Sequence, residues 1–540
     1  MTKKNALIKH LFSFLVFMLP GCAIQELTAQ DDISSLATES DWYREGAQAI
    51  EKASRRTWNN SPGAAKNIIL FVGDGMGVST VTAARIFAGQ QLGQTGEEFQ
   101  LSFEKFPWTG LSKTYNTDTQ VPDSAGTATA FMTGVKTRSG VIGIDGRPER
   151  GSCESYRNTQ GATLITALEL AEIAGKATGI ISTARLTHAT PAAGFANSPD
   201  RNWESSSNLP SEAVENGCMD IAKQMVEFEE RLNDKIDTNI NHPNIDGIDV
   251  AFGGGRGMFF DEDPNNLDGF AEEAGEGRRN DGINLIESWQ SNGGRYVMDK
   301  TGMDNLDLAN NANVLGLFQN SHMRYEANRN EDIRGEPSLT DMTVKAIELL
   351  NQDTEGFFLL VEAGRIDHAH HASNAYNALN ETVELSRAVK AAVDAVDTNE
   401  TLIIVTADHS HVMTFAGYPE RGNPILGIAG NDMDGMPYTT LGYANGVGFD
   451  DNGNITNADV RSGPPAPGRH DLTDVDTTAP GFHQESLVGL FGETHGGEDV
   501  GIYAIGPGGH LISGSIEQNV IFHVMNFAGD LVNKAASALE

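Results

Sequence analysis

The 540-residue sequence is poor in positive charge: 38 Lys and Arg residues stand against 74 Asp and Glu residues, which gives a formal net charge of −36. A protein that binds nucleic acid through phosphate contacts needs a basic face, so this composition excludes that class. Long apolar runs are also lacking. The most apolar segment, residues 11–19 (LFSFLVFML), is about half of the ~20 residues that a bilayer-spanning helix requires, so we expect no transmembrane helix.

The N-terminus has the pattern of an export signal. Lys3, Lys4 and Lys9 precede or begin the apolar segment, and residues 19–22 (LPGC) follow it at once. This resembles a bacterial lipoprotein signal, in which residues 1–21 are removed and Cys22 carries the lipid. We therefore expect an exported, periplasmic or cell-surface protein anchored to a membrane through Cys22. Ordinary secretion with cleavage nearer Ala29 is the alternative.

Cysteine is scarce, with three residues in the whole chain. If Cys22 carries lipid, Cys153 and Cys218 remain as a pair in an oxidising compartment, where a disulfide is the natural use. Two buried free thiols are the alternative.

Four short apolar runs indicate the fold class. They are residues 67–72 (NIILFV), 178–182 (TGIIS), 357–361 (FFLLV) and 402–406 (LIIVT), and continuous runs of this kind are typical of strands buried on both faces. Helical patterns lie between them, at residues 162–175 and 339–351, and a further amphipathic helix is predicted at residues 42–52. The sequence therefore predicts an α/β fold, a mostly parallel central sheet covered by helices.

Polar side chains follow each of these runs. Because the carboxyl ends of parallel strands meet at one edge of a sheet, where ligands bind, we expect these side chains to lie together. They are Asp74 after the first run, His188 and Thr190 after the second, Glu362 after the third, and Asp408 with His409 after the fourth.

Histidines give the sharpest chemical signal. Five of the 14 fall between positions 368 and 411: His368, His370, His371, His409 and His411. Asp367 and His371 are spaced i, i+4 and so share one helix face. Imidazole with carboxylate suits zinc, which keeps three protein ligands in catalytic sites. His495, flanked by small residues, is the best candidate for the third ligand.

A second set of ligands is predicted from Asp74, Asp408 and His409. Two metal ions about 4 Å apart form the known clamp for in-line phosphoryl displacement. Glu362 and Thr190, with Asp74 as a bridge, offer only oxygen ligands and suit a harder ion such as magnesium.

Ser124 stands in the segment VPDSAGTATA, before small residues that predict the start of a helix. A helix N-terminus favours an anion, and a serine beside a metal can act as a nucleophile. An N-cap role is the alternative. The segment GDGMG at residues 73–77 does not match a dinucleotide-binding loop, because its spacing is G-x-G-x-G and no acid follows about 20 residues later.

Together these residues resemble the alkaline phosphatase family, and in wording they are closer to the animal-type enzymes than to the best-known enteric bacterial enzyme. The segments that carry the resemblance include VGDGMGVSTVTAARI around Asp74, PDSAGTATAF around Ser124, VEAGRIDHAHH from position 361, TADHSH from position 406 and ETHGGEDV around His495. The resemblance extends from about Trp42 to Ala528.

The resemblance implies a three-layer sandwich with a phosphoserine mechanism for phosphate monoesters. It assigns Ser124 as the nucleophile and Arg201, in SPDRNWE, as the arginine that clamps the phosphoryl group. It implies two zinc ions and one magnesium ion, held by Asp367, His371 and His495, by Asp74, Asp408 and His409, and by Asp74, Thr190 and Glu362, respectively. His188 and His368 are expected beside these ligands. A disulfide between Cys153 and Cys218 and a homodimer are also implied.

The animal enzymes carry a calcium site, whose region here contains Phe318 and Glu336. Gln319 replaces a carboxylate there, which makes calcium doubtful.

With this resemblance we divide the chain into a signal peptide (residues 1–21), a tether and N-terminal arm (22–60), a catalytic core (61–411), a loop-rich, crown-like insertion (412–490) and the C-terminal part of the core (491–540). Alternative functions are a phosphodiesterase or sulfatase with a related metal core, or a non-catalytic metal- or phosphate-binding lipoprotein. The segment SAGT at residues 124–127 lacks the Cys/Ser-x-Pro-x-Arg motif of sulfatases.

Overall fold

The computed structural model describes residues 40–54, 65–236, 242–261, 277–307 and 313–540. The signal segment and Cys22 lie outside these residues. In the described ranges the strands are β1 (Asn67–Gly73), β2 (Trp108–Lys113), β3 (Ala177–Arg185), β4 (Val250–Gly254), β5 (Arg295–Val297), β6 (Val314–Leu317), β7 (Phe357–Ala363), β8 (Thr401–Ala407), β9 (Ser410–His411), β10 (Met413–Phe415), β11 (Ile428–Asn431), β12 (Pro437–Thr439), β13 (Leu441–Gly446), β14 (Asp450–Asp451), β15 (Phe482–His483), β16 (Ser486–Gly489), β17 (His495–Gly496), β18 (Val500–Ile505) and β19 (Gly514–Glu517).

The α-helices of the same ranges are α1 (Asp41–Ser54), α2 (Val78–Gln91), α3 (Ser124–Thr133), α4 (Cys153–Asn158), α5 (Ala167–Ile173), α6 (Ala189–Ala192), α7 (Ser211–Glu215), α8 (Ile221–Val226), α9 (Phe228–Lys235), α10 (Leu285–Ser291), α11 (Lys300–Asp304), α12 (Leu339–Leu350), α13 (Arg365–His371), α14 (Ala375–Ala395), α15 (Val520–Gly529) and α16 (Leu531–Ala538). Short 3₁₀ helices connect several of these elements.

A ten-stranded sheet runs through the molecule in the order β19-β2-β18-β8-β1-β7-β3-β4-β6-β5. Its four central strands, β8, β1, β7 and β3, are parallel and contain the four apolar runs. Strand β18 is antiparallel to β8 and to β2. The predicted α/β fold with a mostly parallel sheet is therefore confirmed.

Helices cover both faces of the sheet, and strand β1 shows why its sequence is apolar throughout. Ile68 and Leu70 pack into the core on one face, while Ile69 and Phe71 pack into the core on the other. All four are fully buried. Since side chains alternate along a strand, a strand between two helix layers needs apolar residues at every position. Burying a side chain of this size stabilises the fold by roughly 1.5–3 kcal/mol.

Residues 412–490 contain short strands rather than loops alone. Strands β10, β13 and β16 form a three-stranded sheet, and β11 pairs with β12 and β14 with β15. Strands of two to six residues leave too little alternation for a sequence pattern, which explains why the sequence predicted no buried strand there.

The N-terminal part of the described chain is tied to the core. Helix α1 packs against α15, with Tyr43 beside the ring of His523 at 4.9 Å between centroids.

Cys153 and Cys218 form a disulfide, so the alternative of two free thiols is wrong. None of the described helices is long and apolar enough to cross a bilayer.

Candidate active site

Helix α3 begins at the edge of the sheet where the central parallel strands end. Asp123 is its N-cap: its carboxylate accepts from the backbone N–H of Ala125 and Gly126, at 3.3 and 3.2 Å. Ser124 is thus the first helical residue, and the alternative that it is an N-cap is wrong. A Cβ atom at position 126 would lie 1.8 Å from Nδ2 of Asn116, so glycine is required for this close approach.

Ser124 is 1% exposed and faces predicted metal ligands. Its Oγ lies 3.1 Å from Nε2 of His409 and 3.4 Å from Oδ1 of Asp74. The start of helix α3 also places the hydroxyl where the helix dipole is positive. A nucleophilic oxygen here would have an anion-stabilising environment before any metal is added.

The structure brings Asp367, His371 and His495 together with His411, and this set is here called the first ligand group. The Nδ1–H of His371 donates to the carbonyl of Glu493, and the Nδ1–H of His495 donates to the carbonyl of Pro122 at 2.8 Å. Both rings therefore present an Nε2 lone pair, and the two Nε2 atoms face each other at 3.2 Å. Facing lone pairs beside a carboxylate fit a bound cation.

The second group is formed by His409 with Asp74 and Asp408. The Nδ1 atom of His409 faces the carbonyl of Ser410 at 3.2 Å, so it carries the proton. Nε2 then has its lone pair 3.4 Å from Oδ1 of Asp74 and 3.3 Å from Oδ2 of Asp408. Oxygens of Asp74 and Asp367 also lie within ligand reach of a ring nitrogen of His409, and such a fully buried set fits a cation.

The third group consists of oxygens that lack hydrogen-bond partners. Among the described residues, Oδ2 of Asp74, Oγ1 of Thr190 and Oε1 of Glu362 are buried without a partner. Asp74 and Glu362 also lie within ligand reach of a ring nitrogen of His188. Buried polar atoms without partners are costly, so this set of mainly oxygen atoms is built for an ion.

The carboxylates of these groups crowd one another. Burial raises the pKa of Asp74 well above its usual range, and the charges of Asp408 and Asp367 raise it further. Burial also raises the pKa of Glu362, to about 7, and that of Asp408. Burial would raise the pKa of Asp367 as well, but the charges of His371 and His411 hold it well below normal. Divalent cations would relieve this repulsion.

Arg201 is held next to the start of helix α3. Its Nη1 donates to Oδ2 of Asp123 at 3.2 Å and its Nη2 to Nε2 of His188 at 3.0 Å. His188 and His368 lie next to each other, with ring centroids 5.5 Å apart. The same carboxylate that caps the helix of Ser124 therefore also holds the guanidinium.

Two residues that the sequence analysis gave no role support the first ligand group. His411 lies between two carboxylates: its Nε2 donates to Oδ1 of Asp367 at 2.7 Å, and its Nδ1 contacts Glu493. Burial alone would lower the pKa of His411, but Glu493 and Asp367 raise it to about 10. Strand β9 pairs with β17 so that His411 stands opposite His495. The two histidines at positions 409 and 411, separated only by Ser410, were the available signal.

His322 was also missed. Its ring packs on that of His368, with centroids 4.1 Å apart, and accepts from the guanidinium of Arg185 at 2.6 Å. It stands in a loop without a distinctive pattern, so nothing in the sequence pointed to it.

The calcium region shows no comparable ligand group. Oε1 of Glu336 accepts from the amide of Gln319 at 3.0 Å and Oε2 from the backbone N–H of Arg324 at 2.9 Å. Phe318 is fully buried. In the part of the chain that the structure describes, no set of three acidic or histidine side chains forms around Glu336. Both carboxylate oxygens of Glu336 thus already accept hydrogen bonds from within the protein.

Residues of the 412–490 segment form hydrogen bonds at both ends of helix α13, which carries Asp367 and His371. At its start, Arg365 donates to Oδ2 of Asp459 at 2.8 Å and contacts Nδ1 of His368 at 3.0 Å. At its end, Nδ1 of His483 donates to the carbonyl of Ala372 at 2.6 Å. Contacts at both ends fix the helix and thus the ligands on it.

Comparison with known proteins identifies the family to which this chain belongs. The alkaline phosphatase family model matches residues 65–531. The human tissue-nonspecific alkaline phosphatase is 41% identical over 522 residues, covering 95% of this chain and 92% of that protein. The alkaline phosphatase of Gadus morhua is 41% identical over 496 residues, covering 91% and 96% of the two chains.

Solved structures share the fold. The alkaline phosphatase of Thermus thermophilus superposes with a TM-score of 0.58 at 25% identity, covering 89% of this chain and 96% of that one. The enzyme of the Antarctic bacterium TAB5 gives a TM-score of 0.54 at 22% identity, covering 87% and 99%. A variant of the TAB5 enzyme was solved with magnesium at a site called M3, with a TM-score of 0.55, 22% identity and the same coverage. By family match and by identity over nearly its whole length, this chain belongs to the alkaline phosphatase family, metal-dependent hydrolases of phosphate monoesters.

Proposed function

We propose that the chain hydrolyses phosphate monoesters through a phosphoserine formed on Ser124. The observation that carries this proposal is the position of its Oγ at the start of helix α3, 3.1 Å from Nε2 of His409 and 3.4 Å from Asp74. The ligand groups on both sides give this hydroxyl the surroundings of an activated nucleophile.

Three ions would be held at the groups described above. Asp367, His371 and His495 would hold one zinc ion, Asp74, Asp408 and His409 a second, and Asp74, Thr190 and Glu362 magnesium. The mixed nitrogen and oxygen ligands favour zinc at the first two, and oxygen ligands favour magnesium at the third. Magnesium in a TAB5 variant supports the third assignment. When bound, these ions would neutralise phosphoryl oxygens and promote loss of protons from the attacking groups.

The chain's own residues then carry out a double displacement. Ser124 Oγ attacks the phosphorus atom and the bond to the alcohol oxygen breaks, so the alcohol leaves and the phosphoryl group stays on the serine. Arg201, held by Asp123, offers its planar fork to two phosphoryl oxygens. Water then displaces the serine and releases inorganic phosphate. Positioning and charge neutralisation dominate because phosphoryl transfer has a loose transition state.

Trapping the intermediate tests this proposal directly. The metal-loaded protein is incubated with inorganic phosphate at acidic pH, quenched, digested and analysed by mass spectrometry. We expect one phosphoryl group on the peptide that contains Ser124. Phosphate on another residue, or none under conditions where the enzyme turns over, would contradict the mechanism.

Replacing Arg201 by alanine is expected to raise KM for p-nitrophenyl phosphate, and the phosphate concentration needed for inhibition, by roughly 10- to 100-fold. The reason is the loss of two charge-assisted hydrogen bonds to the phosphoryl group. Steady-state kinetics with added phosphate measure both constants. Arg150→Ala is the matched control, since Arg150 is exposed and pairs with Asp200, next to Arg201 in the chain. An unchanged inhibition constant in the Arg201 variant would exclude the assigned role.

Replacing Asp459 by asparagine is expected to lower kcat/KM by roughly 10-fold, the scale of effects at groups that orient a site through another residue. This substitution removes the negative charge that pairs with Arg365 and thereby loosens the contact of Arg365 with His368. Asp459→Glu should restore part of the activity, and Asp474→Asn, an exposed acid of the same insertion, should have no effect. Zinc content is measured in parallel. Equal kcat/KM in Asp459→Asn and Asp474→Asn would refute this coupling.

We propose also that residues 1–21 direct export, that Cys22 anchors the protein through lipid, and that the chain forms a homodimer. Apolar side chains at the end of the insertion and directly after it support the dimer, because Leu487 and Phe491 are 81% and 97% exposed. Metabolic labelling with a fatty acid tests the anchor, and sedimentation equilibrium tests the dimer.

A further inference from the structure

A second concave site lies away from Ser124. A cavity of about 530 Å³, here called the Arg231 cavity, is lined by Tyr156, Asn197, Cys218, Met219, Arg231 and Lys235, among others. The disulfide of Cys218 forms part of its wall. None of the metal-ligand residues described above lines it, so its use is independent of the proposed function.

The guanidinium of Arg231 has only neutral partners. Its Nη1 donates to the carbonyls of Phe195 and Gln224, at 3.2 and 3.1 Å, and its Nη2 to Oδ1 of Asn197 at 3.3 Å. Among the described residues, no carboxylate forms an ion pair with it. Burial lowers the pKa of Arg231, and the nearby carboxylate of Glu169 only partly offsets this. A cation in this state gains strongly from an anionic partner.

The lining carries an excess of positive charge in a strongly acidic protein. Arg157 and Lys235 stand with Arg231, against Asp234 alone among the acids of the lining. Lys235 is already paired with Glu169 at 2.5 Å, behind the cavity. In a chain with a formal charge of −36, a concave lining with this excess of cations would attract small anions locally.

We propose that the Arg231 cavity binds a small organic phosphate or sulfate ester, with its tetrahedral oxyanion at the guanidinium of Arg231 and its organic part against Tyr156 and Met219. A guanidinium suits such an oxyanion because its planar fork can donate two parallel hydrogen bonds. The volume is in the lower part of the range for small-molecule sites and holds a sugar ester.

Calorimetric titration of the metal-loaded Ser124→Ala protein with glucose 6-sulfate tests the proposal, because this probe cannot be consumed as a phosphate monoester. We expect one molecule bound per chain at the cavity, with affinity at least 10-fold lower in Arg231→Met and unchanged in the control Arg421→Met. Arg421 is an exposed arginine that does not line the cavity. Inorganic sulfate should bind more weakly than the sugar ester.

Two exposed positions keep the test decisive if Arg231→Met fails to fold. Arg157→Gln should lower the affinity and Asp234→Asn should raise it, each by about 3-fold, because they change the charge of the lining in opposite directions. No binding of glucose 6-sulfate, or affinity indifferent to all three positions, would overturn the site. Equal affinity for inorganic sulfate and the sugar ester would overturn the organic ligand.

Discussion

Replacing Ser124 by alanine is expected to reduce turnover of p-nitrophenyl phosphate by on the order of 10⁴- to 10⁶-fold, the scale seen when a catalytic nucleophile is removed. No other described hydroxyl occupies the start of helix α3 between His409 and Asp74, so no substitute is in place for attack. Initial rates at saturating substrate, with the metal content of each preparation, measure the effect.

The control for this prediction is Ser386→Ala. Ser386 is also buried, but its Oγ accepts from the backbone N–H of Ser102, and neither residue belongs to a ligand group. It should retain at least about half of the parental turnover, since an isolated change away from a site usually has small effects. If Ser124→Ala bound its metals and still turned over within tenfold of the parent protein, the phosphoserine mechanism would be wrong.

Removing the metal ions with a chelator is expected to lower turnover to below about 1% of its starting value, because transition-state charge stabilisation by bound metal is worth several kcal/mol. Added zinc with magnesium should restore it. Elemental analysis before chelation should give two zinc ions and one magnesium ion per chain. Dialysis without chelator is the control. Full activity in protein shown to be free of metal would exclude the proposed cofactors.

Metal removal should also change how stability depends on pH. In the metal-free protein the pKa of Glu362 is raised from 4.5 to about 7 by burial, so the folded state holds a proton that the unfolded state has lost. The stabilisation of the folded state by this bound proton is fully present below pH 4.5, the pKa of the unfolded state. It is lost as the pH rises towards 7, the pKa of the folded state. Urea unfolding across this range should show falling stability without metal and little change with metal. Parallel curves for both forms would contradict this.

The sequence predicted which carboxylates the structure brings together, because their positions follow from strand ends. Asp74, Glu362 and Asp408 come just after or at the end of buried apolar runs, and parallel pairing brings such ends together. Asp367 and His371 followed from helical spacing. These relations involve neighbouring residues only, so the helical period of 3.6 residues and the strand period of two are enough to predict them.

The residues that were missed depend on contacts between distant segments. Glu493 acquires its role only because β9 and β17 pair, and Asp459 only because the insertion folds back onto helix α13. The strands of the insertion are too short to show an alternation of apolar and polar residues in the sequence. His322 lies in a loop, where position depends on the whole fold rather than on neighbouring residues.

The order of the central strands has a consequence for the newly made chain. Strand β1 lies between β7 and β8, and Asn67 bonds to Thr401, which is 334 residues later. A nascent polypeptide that ends before residue 357 therefore has both edges of strand β1 unpaired. Each ligand group also contains at least one residue that follows position 357. Closing such long loops is slow. None of the three ligand groups can therefore be complete before Glu362 has been synthesised, and the first group also needs His495, close to the C-terminus.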